Sequence, residues 1–264
     1  MAESPYLLDN RQEEAGDRFT ALAALYDPVT IRHFDRLGVG EGWRCLEVGA
    51  GGGSVVRHLS ERVGVSGHVL ATDLEPRFLE PLTSLGNVEV QRHNVVIDPL
   101  PAAAFDLIHA RLVLVHVPER VEAIRRLVAA LKPGGWLLVE DADAVLSPPC
   151  LDPTDDDEHL ANKVRNALLR LLDGHQADMT FARKLPRLLR EAGLVDIEGD
   201  ANLPLSDAVR LLERANVLQM QAMLVEEGDV TKEELERYLA RLEDPSFLLA
   251  GIFLMAVWGR TPSR

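Results

Sequence analysis

The sequence predicts an α/β fold in which a mostly parallel sheet carries helices on both faces. Strand and helix patterns alternate through the first 141 of the 264 residues, as expected for parallel strands joined by crossover helices. An apolar strand also runs directly into the glycine cluster 49–53, and a helical pattern follows at once. Because glycine has no Cβ and accepts positive φ, this turn can bring the backbone close to a ligand. We therefore expect a ligand-binding crevice at the carboxyl end of the sheet.

Each predicted element rests on a local signal. Short apolar runs predict strands, and longer amphipathic stretches opened by capping residues or proline predict helices. Thr154 with Asp157, and Thr231 with Glu234, form capping-box patterns. The predicted strands are 44–48, 68–73, 88–92, 105–111, 136–141, 194–199 and 252–259, and the predicted helices are 12–25, 28–37, 54–63, 76–85, 118–131, 155–172, 180–192, 206–226 and 231–243.

Composition and charge argue against several kinds of partner. A net charge of −14 disfavours binding to nucleic acid, which requires clustered Lys and Arg. Two cysteines fit a reducing compartment, and we recognise neither a signal-peptide pattern nor an apolar run long enough to cross a bilayer. We expect a cytoplasmic protein that uses neither membrane nor nucleic acid. The spacing of His, Cys and carboxylate residues predicts no metal site.

The glycine cluster has the spacing G-x-G-x-G at Gly49, Gly51 and Gly53. A dinucleotide fingerprint has its third glycine one position later, and that position is Ser54. Asp73 ends the next predicted strand, where a carboxylate can accept hydrogen bonds from both hydroxyls of a ribose. The alternative role for Asp73 is to cap the helix that follows.

Three motifs together resemble those of class I S-adenosylmethionine-dependent methyltransferases. Residues 46–53 resemble the first motif of that family, residues 105–111 its fourth-strand motif, and residues 131–137 its Leu-Lys-Pro-Gly-Gly turn into the fifth strand. The resemblance covers residues 15–141 well and is similar in style to small-molecule methyltransferases of bacterial secondary metabolism. It implies a Rossmann-like, doubly wound sheet of seven strands in the order 3-2-1-4-5-7-6, with an antiparallel last strand.

The resemblance also implies S-adenosylmethionine as the cofactor. Asp73 matches the ribose-binding acid of the family, and Asn94 stands where the family often has an Asp that bonds the adenine amino group. Glu47, a charge in an apolar strand, either organises the turn or contacts the ligand directly. The residues expected at the cofactor are Arg18, Glu47, Gly49, Ala50, Gly51, Gly53, Asp73, Leu74, Asn94, Val95 and Arg111.

Two of these residues are arginines with different expected roles. Arg18 can pair with the carboxylate of the cofactor or form a surface salt bridge. Arg111 ends the fourth predicted strand, where its backbone can touch the methionine part of the cofactor.

A general base is needed only if the methyl acceptor must lose a proton. The candidates are His116 and Asp141, with Asp143 beside it, and their alternatives are helix capping and loop polarity.

We expect a single domain over residues 1–264, in which helices from 1–40 and helical insertions within 142–250 cover the substrate. Candidates for lining an apolar substrate site are Val217, Met220, Met223, Leu224 and Phe253. The predicted function is methyl transfer to a small, fairly apolar molecule such as a secondary metabolite, and a homodimer is compatible with it. Two alternatives stay open, an NAD(P)-dependent oxidoreductase and a non-catalytic nucleoside-binding regulator.

Overall fold

The structure is a computed structural model that describes residue 7, residues 15–147 and residues 150–263. The described chain divides into two units. The sheet unit comprises Asp27–Ala142, Thr180–Asn202 and Leu254–Arg264, and the helical unit takes its residues from Met1–Tyr26, Asp143–Met179 and Leu203–Phe253.

Seven strands of the described chain form one sheet in the order β3-β2-β1-β4-β5-β7-β6. β7 runs antiparallel to β5 and β6, and the other neighbouring strands are parallel. The predicted sheet, its order and its antiparallel last strand are therefore confirmed. The strands are β1 Arg44–Val48, β2 His68–Asp73, β3 Val88–Arg92, β4 Phe105–Arg111, β5 Leu131–Ala142, β6 Val195–Asn202 and β7 Leu254–Arg260.

Helices cover both faces of this sheet. On one face, Phe34 and Leu59 belong to the core cluster that includes Leu107 and Leu138, and on the other Leu127 packs in a cluster with Ile108. The strands are apolar on both sides for this reason. The helices are α1 Ala15–Leu37, α2 Ser54–Val63, α3 Arg120–Ala130, α4 Asp155–Gly174, α5 Leu185–Glu191, α6 Asp207–Glu226 and α7 Lys232–Leu242.

The prediction of two separate first helices is wrong, because α1 is continuous and contains Pro28. Proline removes one helical hydrogen bond, but Val29, Phe34 and Leu37 are buried along the same helix. Burial of this apolar face outweighs the lost bond. Residues 12–14 of the predicted helix lie outside the described residues.

Two other predicted helices differ in type. Residues 76–85 form the 3-10 turns Pro76–Phe78 and Glu80–Leu85, since Pro81 cannot donate a backbone hydrogen bond within the stretch. Residues 180–192 form the 3-10 turn Phe181–Lys184 followed by α5, whose second residue is again a proline.

Element ends shift by a few residues elsewhere. β5 begins at Leu131 rather than at residue 136, because Leu131 pairs with Phe105 before the register shifts. α3 begins at Arg120 rather than at Pro118, and β6 continues to Asn202. The remaining helix ends agree with the predictions to within two residues, the usual uncertainty of such boundaries.

β6 lies at one edge of the sheet and carries three acidic side chains in ion pairs with basic residues of the sheet unit. The pairs are Asp196 with Arg260 at 2.5 Å, Glu198 with Arg36 at 2.5 Å, and Asp200 with His33 at 2.9 Å.

The helical unit contains α4, α6 and α7. Thr231 and Glu234 form the predicted capping box at α7. At α4, Thr154 accepts a hydrogen bond from the amide of Asp157, and the Asp157 carboxylate pairs with Arg241 at 2.9 Å. Among the described helices, none combines the length and apolarity that crossing a bilayer requires.

Candidate functional site

The turn after β1 contains glycine at three alternate positions for two independent reasons. Gly49, Gly51 and Gly53 have φ values of 63°, 52° and 77°, a region that L side chains rarely adopt. A Cβ at Gly49 would also collide with Val113, and one at Gly53 would lie 2.5 Å from Cδ1 of Leu82. The backbone geometry and the surrounding packing therefore both require glycine.

Asp73 ties this turn to the end of β2. Its Oδ2 accepts the N–H of Gly51 at 2.9 Å, and its Oδ1 accepts the N–H of Glu75 at 2.9 Å. The N–H of Ala50 also donates to the carbonyl of Thr72 at 2.9 Å. Because a carboxylate offers about four acceptor positions, Asp73 can organise the turn and still accept hydrogen bonds from a ligand.

Asn94 follows β3, the next strand outward in the sheet. Its Oδ1 accepts the N–H of Val96 at 2.9 Å, and its own N–H donates to Asp98 at 2.7 Å. This local turn fixes the Asn94 side chain. Val95 is buried, whereas Leu74 is half-exposed. The carboxyl ends of β1, β2 and β3 thus bring the glycine turn, Asp73 and Asn94 to the same edge of the sheet.

Glu47 begins a row of buried polar side chains that crosses the sheet. Glu47 on β1 is paired in register with His109 on β4, and its Oε2 lies 2.7 Å from Nδ1 of His109. Nε2 of His109 lies 3.3 Å from Oε2 of Glu140 on β5. Within the described chain that nitrogen has no aligned hydrogen-bond acceptor.

The row continues from Glu140 to α1 and β6. Oε1 of Glu140 lies 2.5 Å from Nδ1 of His33, and Oε2 accepts a hydrogen bond from Thr30 at 2.5 Å. Nε2 of His33 lies 2.9 Å from Oδ1 of Asp200. Since both ring nitrogens of His33 face carboxylates, the protonated imidazolium, which donates from both nitrogens, satisfies the site best.

The pKa values of these groups follow from burial and from their neighbours. Burial alone would lower the pKa of His109, but Glu47 and Glu140 raise it to about 9. Burial likewise opposes the raised pKa of His33, which the hydrogen bond to Glu140 sustains. Burial would raise the pKa of Glu140, yet the two histidines hold it well below its usual range, while burial dominates at Glu47 and raises its pKa. His33 and His109 thus flank the Glu140 carboxylate from two sides.

Arg111 links this row to the glycine turn. Its Nη1 donates to Thr30 at 2.9 Å, and its Nη2 donates to Asp27 at 2.8 Å. Asp27 also accepts a hydrogen bond from Ser54, the first residue of α2, at 3.1 Å. The sequence predicted a contact between the Arg111 backbone and the cofactor. It did not predict that the Arg111 side chain would bond Thr30 and Asp27.

The candidate bases lie in different surroundings. Asp141 is fully buried, and its Oδ2 accepts the N–H of Val115 at 3.0 Å. Burial raises its pKa to about 7, although the backbone N–H groups of Val115 and Ala142 oppose the shift. Asp141 thereby holds the turn that contains the half-buried His116. Asp143 belongs to the helical unit. Proton-transfer roles for these residues stay predictions.

The remaining predicted residues belong to the helical unit. Arg18 is buried, with its guanidinium carbon 4.7 Å from the centre of the Phe19 ring. The predicted cofactor contact of Arg18 stays a prediction. Of the predicted substrate-lining residues, the buried ones are Val217, Met220 and Leu224, and the half-buried ones are Met223 and Phe253.

Sequence reasoning missed most of the buried row. His109 and Glu140 carried the same signal as Glu47, an ionisable residue inside an apolar strand that needs a buried partner. His33, Thr30 and Asp27 carried no comparable signal, because polar residues are ordinary on a helix. Their partners are visible only once α1 lies against the sheet.

A doubly wound sheet with a bare glycine turn and an acid at the end of the next strand defines a nucleoside-cofactor-binding α/β protein. The sequence profile of the methyltransferase domain family matches residues 7–198. The chain therefore belongs to the methyltransferase domain family, and the resemblance seen in its motifs is confirmed.

Individual relatives agree with this assignment. Methyltransferase str3 of Strobilurus tenacellus is 30% identical over 202 residues, which cover 72% of this chain and 66% of that protein. The ubiquinone/menaquinone biosynthesis C-methyltransferase UbiE of Vibrio campbellii is 34% identical over 164 residues, which cover 55% of this chain and 62% of that protein. This chain thus matches two thirds or less of the length of these curated relatives.

The fold has solved counterparts. A crystal structure of an S-adenosylmethionine-dependent methyltransferase from Aquifex aeolicus superposes with a TM-score of 0.51 at 17% identity, covering 91% of this chain and 92% of that one. None of the relatives described here supports the oxidoreductase or regulatory alternatives.

Substituting Gly49 with alanine should destabilise the protein more than the same change at Gly86. Both residues have positive φ, but only the Cβ at position 49 meets a neighbour, Val113, whereas no atom of the described residues lies within 4 Å of a Cβ at position 86. We expect Gly86→Ala to cost about 1–2 kcal/mol for its backbone conformation, and Gly49→Ala to cost a further 1–3 kcal/mol, roughly, for overpacking. Urea denaturation measures both, and equal losses would contradict the packing argument.

Stability should fall as the pH rises from 7 to 9. The folded pKa of His109 is raised from 6.5 to about 9, so its stabilising contribution is complete below pH 6.5 and is lost as the pH rises through 9. We expect a loss on the order of 2 kcal/mol over this range, measured by urea denaturation at each pH.

His109→Gln should flatten this pH dependence. His68→Gln is the matched control, because His68 is a more accessible strand histidine, 3.4 Å from Glu89, and should retain the wild-type slope. An unchanged slope in His109→Gln would show that the buried row does not hold the proton.

Proposed function

We propose that the protein transfers the methyl group of S-adenosylmethionine to a small, fairly apolar molecule such as a secondary metabolite. Membership of the methyltransferase domain family supports this proposal. The observation that carries it is the Asp73 carboxylate, which lies at the end of β2 and 2.9 Å from the amide of Gly51 in the glycine turn.

The residues present fit this cofactor. Gly49, Gly51 and Gly53 have positive φ and carry no side chain, so a ligand can approach the backbone of the turn closely. Asp73 supplies acceptors for two ribose hydroxyls, and Oδ1 of Asn94 can accept a second hydrogen bond, from an adenine amino group, besides the one from Val96. When bound, S-adenosylmethionine supplies an electrophilic methyl group on a sulfonium centre.

The protein then contributes mainly alignment and exclusion of water. Methyl transfer is an in-line displacement, and holding the reacting groups in line accounts for much of the acceleration. If the acceptor must lose a proton, His116 and Asp141 remain the proposed bases, and the pKa of Asp141, raised by burial to about 7, suits proton transfer near neutral pH.

The class of acceptor is proposed from the helical insertions and the relatives. Val217, Met220 and Leu224 give α6 a buried apolar side, and we propose that the helical insertions select the acceptor. UbiE is named for ubiquinone and menaquinone biosynthesis, which supports apolar ring compounds as first candidates. The net charge of −14 supports a protein without a nucleic-acid partner. We also propose a cytoplasmic location and a homodimer, which cell fractionation and light scattering respectively test.

Two measurements separate this function from its alternatives. Calorimetry compares the binding of S-adenosylhomocysteine with that of NADH, and labelled S-adenosylmethionine reports methyl transfer to a panel of phenols and quinols. We expect binding of S-adenosylhomocysteine alone, together with transfer to at least one acceptor. Binding of NADH instead would favour the oxidoreductase, and cofactor binding without any transfer would favour the regulator.

Asp73→Ala should weaken the binding of S-adenosylhomocysteine by about 1–3 kcal/mol, since hydrogen bonds to a buried polar partner are lost. Asp106→Ala is the matched control. Asp106 also accepts a backbone N–H from a neighbouring strand, that of Arg44 at 2.8 Å, but it lies near the start of β4, away from the carboxyl ends of the strands. Calorimetry should find wild-type affinity for the control, and wild-type affinity for Asp73→Ala would refute the ribose role.

A further inference from the structure

The helix that follows the glycine turn starts without the usual cap. α2 begins at Ser54, and the cap position is Gly53. In the part of the chain that the structure describes, no side chain at this position bonds the first amides of α2, and its first turn has no acidic residue. Ser, Thr, Asp and Asn are the residues that most often cap a helix with a side chain, whereas Gly caps without one. The first amides of α2 therefore receive no acceptor from the cap residue itself.

A capping side chain cannot be accommodated at position 53. The φ of Gly53 is 77°, and a Cβ there would lie 2.5 Å from Cδ1 of Leu82 and 3.0 Å from Cδ2 of Leu79. The absence of a side chain at Gly53, which leaves the backbone accessible to a ligand, therefore also removes the standard cap.

Asp27 on α1 provides the missing negative charge from outside the helix. Its Oδ1 accepts a hydrogen bond from the Ser54 hydroxyl at 3.1 Å, and its Oδ2 lies 3.8 Å from Nε2 of His58. Ser54 and His58 are four residues apart and share one face of α2. A carboxylate beside the first turn also interacts favourably with the helix dipole.

Arg111 fixes the position of Asp27. One guanidinium nitrogen donates to Asp27 at 2.8 Å, and another donates at 2.9 Å to Thr30, three residues further along α1. Thr30 in turn donates to Glu140 at 2.5 Å. Asp27 and Arg111 are both largely enclosed, with side-chain exposures of 11% and 9%, so the charge of each is balanced by the other.

We propose that Asp27, held by Arg111, is a positioning residue that anchors the first turn of α2 in place of an N-cap. It thereby keeps the glycine turn in the conformation that receives the adenosine-bearing cofactor. This inference rests on the proposed function for its link to cofactor binding. The anchoring itself is a property of the unliganded protein and can be measured without a ligand.

Ser54→Ala tests the anchor with the smallest change, because it removes only the hydroxyl that donates to Asp27. Ser60→Ala is the matched control: Ser60 is on the same helix and donates to Asn87 at 2.6 Å. In unliganded protein, we expect amide hydrogen exchange in residues 49–56 to speed up about fivefold to tenfold in Ser54→Ala, the size of one net hydrogen bond. Exchange there should be unchanged in Ser60→Ala.

Binding of S-adenosylhomocysteine, measured by calorimetry, is the second readout. Its dissociation constant should rise about fivefold to tenfold in Ser54→Ala, recover in Ser54→Thr, and stay at the wild-type value in Ser60→Ala. In the Asp27→Asn background, Ser54→Ala should have a smaller effect than in the wild type, because the anchor is already weakened. A purely structural role would lower the free energy of unfolding and leave this dissociation constant unchanged.

The outcomes keep the two proposals apart. If the wild type does not bind S-adenosylhomocysteine, the proposed function fails, and the exchange rates still decide the anchoring. Unchanged exchange in Ser54→Ala overturns the anchoring. Faster exchange with an unchanged dissociation constant overturns its link to the cofactor.

Discussion

The sheet unit depends on the pairing of Glu140 with two histidines. This carboxylate is fully buried, and in the absence of a partner its charge would cost several kcal/mol. His33 on α1 and His109 on β4 supply the compensating charges from opposite sides. Each histidine faces a second carboxylate, Asp200 or Glu47. The row therefore joins His33 of α1 to β5 and β6. Removal of Glu140 would leave His33 and His109 each with a single carboxylate partner.

This row matters for the site because Arg111 and Asp27 connect it to the helix that follows the glycine turn. Thr30 joins Glu140 to Arg111, Arg111 donates to Asp27, and Asp27 accepts a hydrogen bond from Ser54 at the start of α2. The turn itself has little side-chain packing of its own, since its residues are mostly glycine. Its conformation is therefore specified by hydrogen bonds from neighbouring elements, among them those of Asp73. A site that is preorganised in this way loses less conformational entropy when a ligand binds.

The sequence was sufficient for the sheet but insufficient for the interactions behind the site. Apolar strands separated by glycine and proline turns gave five strands closely, and the motif resemblance gave the strand order. Local signals failed because the effect of proline depends on its surroundings. Pro28 lies inside α1, Pro81 lies in a 3-10 turn, and Pro186 lies in the first turn of α5. Glu47 is recognisable in the sequence as a charged residue within an apolar strand, but its partner His109 lies 62 positions later. Contacts between residues so far apart in the sequence form only in the assembled fold, and no local sequence pattern reveals them.

The acidic edge strand β6 has a consequence for how the protein behaves at high concentration. An edge strand exposes unpaired N–H and C=O groups to which a strand of another molecule can add. Here Asp196, Glu198 and Asp200 are already neutralised by basic groups of their own chain. An incoming copy of the same strand would bring its own carboxylates alongside these, and like charges on neighbouring strands repel. The edge thus discourages cross-molecular sheet growth, and the protein gains resistance to aggregation from charges that also stabilise its own fold.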